Sequence, residues 1–488
     1  MSHFSSHFLL DGYVNKALRL TPVLFLAFSL AVNPAFGFDG EVFQGGLQNE
    51  TNNMEKSESY GQGYLNDFFQ ALSLLERHFV EPPNEAGLLK SSIEKLSFIT
   101  LPYCQDNLVS MRDCPYEPPR CFSDSIMIVS RRCHYDPDKL SLKALDLLLR
   151  DLDPYSTTLD SAMINELKIM ASGKFAGVGM VVGYRDGDYV VVAPFDGSPA
   201  YRAGIRAGDK LLEIDGTSLH GLSLIEALKM VRGPSGSEVR FRIQDPVSGQ
   251  TQNVRLIRTL IKAPSVRSKL LNDGVGYLRI VNFQKDTRDE VLRSINRMKS
   301  ANRSKLRGLI LDLRDNPGGL LTEAIRISDL FLKSGVITSL RSRGSKLNKE
   351  FLASGTGPFS SLPIIVLINR GTASASEILT GALKKHPDTV ILGTRSFGKA
   401  SVQNIFPIRT GLALRLTTAH YYTADGRDIE GKGIEPDVFV SDRVDKNRNR
   451  GTAIDMNEIG NDPEIKMALE YLVSNKSQHS VNFFMNLF

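Results

Sequence analysis

Between Val275 and Gly393 the chain reads V-G-Y-L-R-I (Val275 to Ile280), then a helix over Arg288 to Met298, then R-G-L-I-L-D-L-R (Arg307 to Arg314) and the turn D-N-P-G-G (Asp315 to Gly319). A helix over Leu320 to Leu332 follows, then P-I-I-V-L-I-N (Pro363 to Asn369), a helix over Glu377 to Lys385, and T-V-I-L-G (Thr389 to Gly393). Strands that alternate with helices predict an α/β core. Outward from this stretch, a last helix is expected over Pro463 to Val473, ahead of a polar tail. No internal repeat and no low-complexity tract interrupts the chain.

The 488 residues carry 59 Lys plus Arg against 54 Asp plus Glu, a formal charge of +5, with 42% hydrophobic and 23% charged residues. At roughly 100–200 residues per domain, this length holds about two to four domains. The composition excludes a collagen, a wholly disordered chain and a polytopic membrane protein. The basic residues are scattered among nearly as many acids and form no long cationic stripe, so no nucleic-acid partner is expected.

Lys16 and Arg19 precede an apolar run from Leu20 to Val32 that leads into Ala35-Phe36-Gly37. This is the grammar of a signal peptide over residues 1–37, with a cut before Phe38; an uncleaved membrane anchor is the alternative. Cys104, Cys114, Cys121 and Cys133 cluster in a Pro-rich insert, residues 104–133. In an exported chain an even, clustered set reads as two disulfides in a loop-rich segment, whereas zinc sites use short C-x-x-C pairs that are missing here. All three pairings stay open. From Tyr64 to Phe79, apolar residues at helical spacing (Leu65, Phe68, Phe69, Leu72, Leu75, Phe79) predict an amphipathic helix whose stripe needs a partner, and a homo-oligomer is one way to supply it. A second helix is expected over Leu140 to Asp151.

After Ser172, short β-branched runs alternate with Gly, Asp and Pro turns. F-A-G-V-G (Phe175 to Gly179), S-P-A-Y-R-A-G-I-R-A-G-D-K-L-L-E-I-D-G (Ser198 to Gly216) and a helix over Ser223 to Val231 follow in order, and the segment from Leu167 to Lys262 resembles a PDZ domain. In such modules a Gly-rich loop leaves N–H groups free for a peptide's terminal carboxylate, while the peptide backbone adds to a sheet edge. Here the loop is Phe175, Ala176, Gly177, Val178 and Gly179.

N-R-G-T-A-S-A-S-E (Asn369 to Glu377) leaves a buried strand and opens a helix, which puts Ser374 where unpaired helix N–H groups point. Ser374 with Glu377 three residues on also spells a capping box. R-S-F-G-K-A-S-V-Q (Arg395 to Gln403) is a glycine turn with one lysine, Lys399, and a polar Gln403 four residues later. The 25 residues from Ser374 to Lys399 exclude a shared helix face, but a strand-helix-strand unit can return the chain to the same sheet edge.

With D-L-R-D-N-P-G-G (Asp312 to Gly319) and D-I-E-G-K-G-I-E-P-D-V (Asp428 to Val438), the chain resembles the carboxy-terminal processing peptidases, or tail-specific proteases, over about Leu140 to Val438. The resemblance implies a multidomain α+β protein: a crotonase-like α/β protease core with an inserted PDZ domain and flanking helices. The expected division is an N-terminal helical region 38–166, a PDZ domain 167–262, a protease core 263–442 and a C-terminal helix and tail 443–488. It further implies a serine–lysine dyad, with Ser374 the nucleophile, Lys399 the general base, Gln403 orienting the lysine, and Gly318, Gly319 and Ala375 forming the oxyanion hole. No cofactor and no metal are expected. The partners would be polypeptides with accessible C-termini, with an adaptor protein as a further candidate, and the place of work would be the bacterial periplasm. Tyr155 in L-D-P-Y-S departs from the family, where many relatives carry His; the expected effect is on packing near the PDZ.

An ordinary lysine, with a pKa of about 10.4, is protonated at neutral pH and cannot take a proton from serine. Burial can lower it by about 3–5 units. Two rival readings remain: a Ser-His hydrolase using His386 or His420, and a catalytically dead PDZ adaptor.

Overall fold

The structure is a computed structural model that describes residues 65–100 and 116–474, apart from 186–187, 196, 207, 223, 304, 344–347, 410, 441–455 and 457–458. The expected signal peptide, Cys104, Cys114 and the polar tail lie outside the described residues.

The described residues begin with four helices, α1 (Asn66–His78), α2 (Glu85–Thr100), α3 (Pro118–Cys133) and α4 (Pro137–Leu152). Strand β1 (Thr157–Asp160) and helix α5 (Ser161–Ser172) then lead into β2 (Lys174–Gly177). Next come β3 (Met180–Arg185), β4 (Asp188–Pro194), α6 (Pro199–Arg202), β5 (Lys210–Ile214), β6 (Thr217–Ser218), α7 (Leu224–Val231), β7 (Glu238–Gln244), β8 (Thr251–Ile257) and β9 (Thr259–Lys262). Strands β3-β4-β5-β7-β8 form one antiparallel sheet with its own apolar cluster, which includes Val178, Val191, Ile214, Val239 and Phe241. This is the PDZ-like unit.

The remainder supplies β10 (Val266–Leu270), β11 (Val275–Ile280), α8 (Thr287–Ala301), β12 (Gly308–Asp312), α9 (Leu321–Ser328), β13 (Val336–Ser342), β14 (Lys349–Leu352) and β15 (Ile364–Ile368). It closes with α10 (Ala375–Leu383), β16 (Thr389–Gly393), β17 (Ser401–Arg409), β18 (Leu412–Tyr422), β19 (Val438–Phe439) and α11 (Pro463–Val473). The sheet order is β10-β11-β12-β15-β16-β19, parallel from β11 onward. Every residue of β11, β12 and β15 is buried, as strands covered on both faces require. Apolar residues of α8, α9 and α10 cover one face, and those of α11 cover the other.

A second sheet escaped the sequence reading. Strand β18 pairs with β1, β13 and β17, all antiparallel. Its apolar side, Leu412, Leu414 and Leu416 with Ile408 of β17, packs against α1 to α4. The stripe of α1 therefore finds its partner inside the chain: Leu65, Phe68, Leu72, Leu75 and Phe79 are buried. That removes the reason for expecting an oligomer through this helix.

The cysteine segment also differs from expectation. Pro118–Cys133 is a helix, started by prolines at its first turn and packed through Phe122, Ile126 and Val129, with Phe122 stacked on Phe68 at 4.1 Å. No cysteine among the described residues is free. Cys121 and Cys133 lie at opposite ends of this helix, about 18 Å apart at 1.5 Å per residue, which no disulfide can span. The pairing Cys121 with Cys133 is thereby excluded.

Candidate active site

Ser374 follows β15 and stands at the N-cap of α10, with φ 58° and ψ −118°. A non-glycine residue at such angles carries about 1–3 kcal/mol of strain, which persists only where its neighbours enforce it. Glu377 provides the enforcement. Its carboxylate is completely buried and accepts from Ser374 N–H at 2.8 Å, Lys399 N–H at 2.9 Å, Gly398 N–H at 2.7 Å and the Ser396 hydroxyl at 2.6 Å. Burial raises the pKa of this carboxyl, and the four donors oppose the rise. The sequence reading took Glu377 as a cap alone. The Ser374 hydroxyl itself is buried and, among the described residues, has no hydrogen-bond partner.

Lys399 arrives from the turn between β16 and β17, so the β15-α10-β16 unit does return the chain to Ser374. Its Nζ donates to Oε1 of Gln403 at 3.1 Å, and Gln403 Nε2 donates to the Thr417 hydroxyl at 3.2 Å, across the β17–β18 pairing. Lys399 is 1% exposed, and burial, aided by the nearby Arg415 guanidinium, pushes its pKa down to about 7, while Glu430, Asp153 and Glu377 pull the other way. The folded core thus holds a lysine that is largely unprotonated at slightly alkaline pH. Tyr155 places its ring over the lysine, with Nζ 4.6 Å from the centroid. The expectation that this position bears on packing near the PDZ is corrected: it borders the lysine.

The turn D-N-P-G-G lies beside Ser374. A Cβ on Gly318 would sit 2.9 Å from Ser374 Cβ and 3.0 Å from Ala375 N, and one on Gly319 would sit 2.1 Å from the Phe283 carbonyl oxygen. Only glycine fits either place. Gly318 N–H donates to Asn316 Oδ1 at 2.9 Å. Among the described residues the N–H groups of Gly319 and Ala375 donate to nothing, and they remain the available donors here. Asn316 also donates from Nδ2 to the Ile280 carbonyl, and its own carbonyl accepts from Ala373 N–H and Ser376 Oγ, which ties the turn to the start of α10.

Behind the turn, Arg314 is fully buried. It meets Asp312 at 2.6 Å, and its guanidinium also reaches Asp462 and Glu464 at the N-terminus of α11. Burial works to raise the Asp312 pKa, but Arg314 and Arg279 hold this carboxyl well below the usual range.

The two histidines are elsewhere engaged. His386 Nε2 lies 2.8 Å from the Ser360 carbonyl, while His420 stands on β18 opposite Ser401 and Arg341. Neither bonds Ser374 Oγ. No cluster of three or more potential metal ligands occurs among the described residues, and no described helix is long and apolar enough to cross a membrane.

In the PDZ-like unit, Val178 is fully buried and the Gly179 carbonyl accepts from Phe195 N–H and the Ser198 hydroxyl. Among the described residues the N–H groups of Val178 and Gly179 donate to nothing. A Cβ on Gly179, whose φ is +75°, would lie 2.4 Å from Ser198 Cβ.

Residues 274–440 match peptidase family S41 and residues 190–245 match a PDZ domain. The class is therefore a PDZ-bearing serine peptidase. The chain is 40% identical over 306 residues to a carboxy-terminal-processing protease of Bartonella bacilliformis, covering 62% of this chain and 70% of that protein. It is 34% identical over 306 residues to the carboxy-terminal processing protease CtpA of Bacillus subtilis, covering 62% of this chain and 64% of that one. Among solved structures it is similar to a photosystem II D1 C-terminal processing protease, at 26% identity and TM-score 0.45, over 79% of this chain and 94% of that chain. The chain belongs to peptidase family S41, with the carboxy-terminal processing proteases.

Proposed function

We propose that the protein is an endopeptidase that captures polypeptide C-termini in its PDZ domain and cuts near them with Ser374 and Lys399. The observation that carries this reading is a buried lysine, its pKa pushed down to about 7, whose N–H shares one Glu377 oxygen with that of Ser374, while the Ser374 hydroxyl has no partner among the described residues. Neutral Lys399 Nζ takes the Ser374 proton as Oγ attacks the scissile carbonyl. The oxygen of the tetrahedral intermediate becomes an anion, received by the N–H groups of Gly319 and Ala375. Each well-aimed donor there is worth about 3–4 kcal/mol. Protonated Lys399 then gives its proton to the leaving amine, and water attacks the acyl-serine by the same route in reverse. Gln403 keeps Nζ on its line.

Among the described residues Ser374 Oγ has no hydrogen-bond partner, and we read this arrangement as a resting one in which the dyad is not yet engaged. On this reading, a tail seated at Val178 and Gly179 favours the engaged arrangement, which requires that it bind that arrangement more tightly than the resting one. The protein is exported to the bacterial periplasm, and its four cysteines form two disulfides there. An adaptor that brings substrates is compatible with the PDZ groove.

The test is cleavage of an unfolded polypeptide with an apolar C-terminus by wild type, Ser374→Ala and Lys399→Ala. Both variants should fold and fail to cut. Peptides with a free C-terminal carboxylate should be cut faster than their amides; near-wild-type cutting by either variant refutes the dyad, and equal rates for acid and amide refute the gating.

A further inference from the structure

We propose that Tyr155 is a positioning residue for Lys399: its ring face holds the lysine side chain and stabilises the protonated form, which sets the pH at which the lysine becomes a base. The inference rests on the reading of Lys399 as general base. Nζ lies 4.6 Å from the ring centroid, inside the roughly 6 Å within which a cation feels the negative face of an aromatic ring. Water does not compete for it, because Lys399 is almost wholly buried.

The ring is held in place from several sides. Asp153 Oδ1 accepts from the N–H groups of Tyr155 and Ser156 at 2.6 and 2.7 Å, and Arg415 Nε donates to the Tyr155 carbonyl at 2.9 Å. The Ser156 hydroxyl donates to Asp153 Oδ2 and accepts from Thr417 N–H. Thr417 Oγ1 in turn accepts from Gln403, the residue that accepts from Lys399. The segment Asp153 to Ser156 and the lysine's own support are thus one hydrogen-bonded system. The phenol faces Glu430, whose Oε2 accepts Ala400 N–H at 2.7 Å.

The charged groups that face Lys399 come from separate elements: Arg415 on β18, Glu430 in the loop after it, Asp153 ahead of β1 and Glu377 on α10. Arg415 and burial disfavour the ammonium; the three carboxylates favour it. The ring face acts with the carboxylates. It also excludes water, which acts the other way, so a test must change the face and keep the shape.

Pentafluorophenylalanine in place of Tyr155 does so, because fluorination reverses the charge of the ring face; Tyr155→Phe keeps the face and removes the phenol. Protein labelled with [ε-13C]lysine reports Lys399 directly, its resonance assigned by its loss in Lys399→Ala. The fluorinated protein should titrate about half a unit to one and a half units below wild type, Tyr155→Phe should match wild type, and the acidic limb of kcat/KM should move with the resonance. Equal titration of the fluorinated and Phe proteins overturns the proposal, as does a shift in Tyr155→Phe of the size expected for the fluorinated protein. Failure of the dyad reading is a separate outcome, seen as retained cleavage in Lys399→Ala, and the resonance reports the ring effect in either case.

Discussion

The peptide groups of Ser374 and Lys399 are fastened together at both ends. Their N–H groups donate to one oxygen, Glu377 Oε2, at 2.8 and 2.9 Å, and their carbonyls accept from one hydroxyl, Tyr421 Oη, at 3.1 and 2.5 Å. Two residues far apart in sequence are thus set to a fixed separation by a carboxylate and a phenol that face no solvent.

Glu377→Gln replaces the shared acceptor with a neutral amide and puts an NH2 against backbone donors. The expected result is a fall in kcat/KM of about 100-fold or more, the scale of a 1 Å misplacement at a reacting centre. Tyr421→Phe leaves the buried Lys399 carbonyl short of its donor, while the Ser374 carbonyl still accepts from Glu377 and Ile378 N–H, and should lower stability by about 1–3 kcal/mol. Steady-state kinetics and denaturant unfolding check the two together.

The depressed Lys399 pKa gives two pH dependences of definite sign. Activity needs the neutral amine, so kcat/KM should rise with pH through a midpoint near 7. The folded pKa lies below that of the unfolded chain, so the native state bears the full burial penalty below about pH 7. Between about 7 and 10.5 the unfolded chain holds a proton that the native state lacks, and stability rises with pH across that window. Lys399→Met should abolish the dependence and stabilise the fold at neutral pH by on the order of a few kcal/mol. Unfolding midpoints at pH 6.5, 8 and 9.5 measure it.

Gly318→Ala puts a methyl between Ser374 Cβ and Ala375 N, at a φ of +102°. The oxyanion donors would be crowded while the PDZ loop is untouched. The expected outcome is a loss of about 100- to 1,000-fold in kcat with unchanged affinity for a carboxylate-ended peptide, read by kinetics and by fluorescence binding.

Counting thiols in unfolded, unreduced protein from the exported fraction should find none. Peptide mapping should then join Cys121 and Cys133 each to Cys104 or Cys114. A Cys121–Cys133 bridge would contradict the helix on which both lie.

The parts of this design that were legible are those whose signal is local. Strands β11, β12 and β15 are apolar throughout because both faces are covered, and Ser374 and Lys399 sit in turns marked by glycine and a helix start. Strands β17 and β18 were missed because their sequences serve two environments: Gln403 and Thr417 support the lysine, while Ile408, Leu412, Leu414 and Leu416 meet the N-terminal helices. For the same reason the α1 stripe was legible and its partner, more than 300 residues away, was not. Glu377 looked like a cap because the cap pattern is local and its contacts at residues 396 to 399 are not. Tyr155 stood out only as a departure from the family, and its place over Lys399 was not legible, since only the pairing of β1 with β18 brings it there.

The central claim is that Ser374, activated by Lys399, forms a covalent acyl-enzyme. Acid quenching of the wild-type protein during turnover of a carboxylate-ended peptide at pH 8, followed by peptide mapping, tests it most directly. The account predicts the N-terminal product fragment attached to Ser374 in wild type, and no such adduct in Lys399→Ala. An acyl group on another residue, or continued cleavage with Ser374 replaced by alanine, would contradict it.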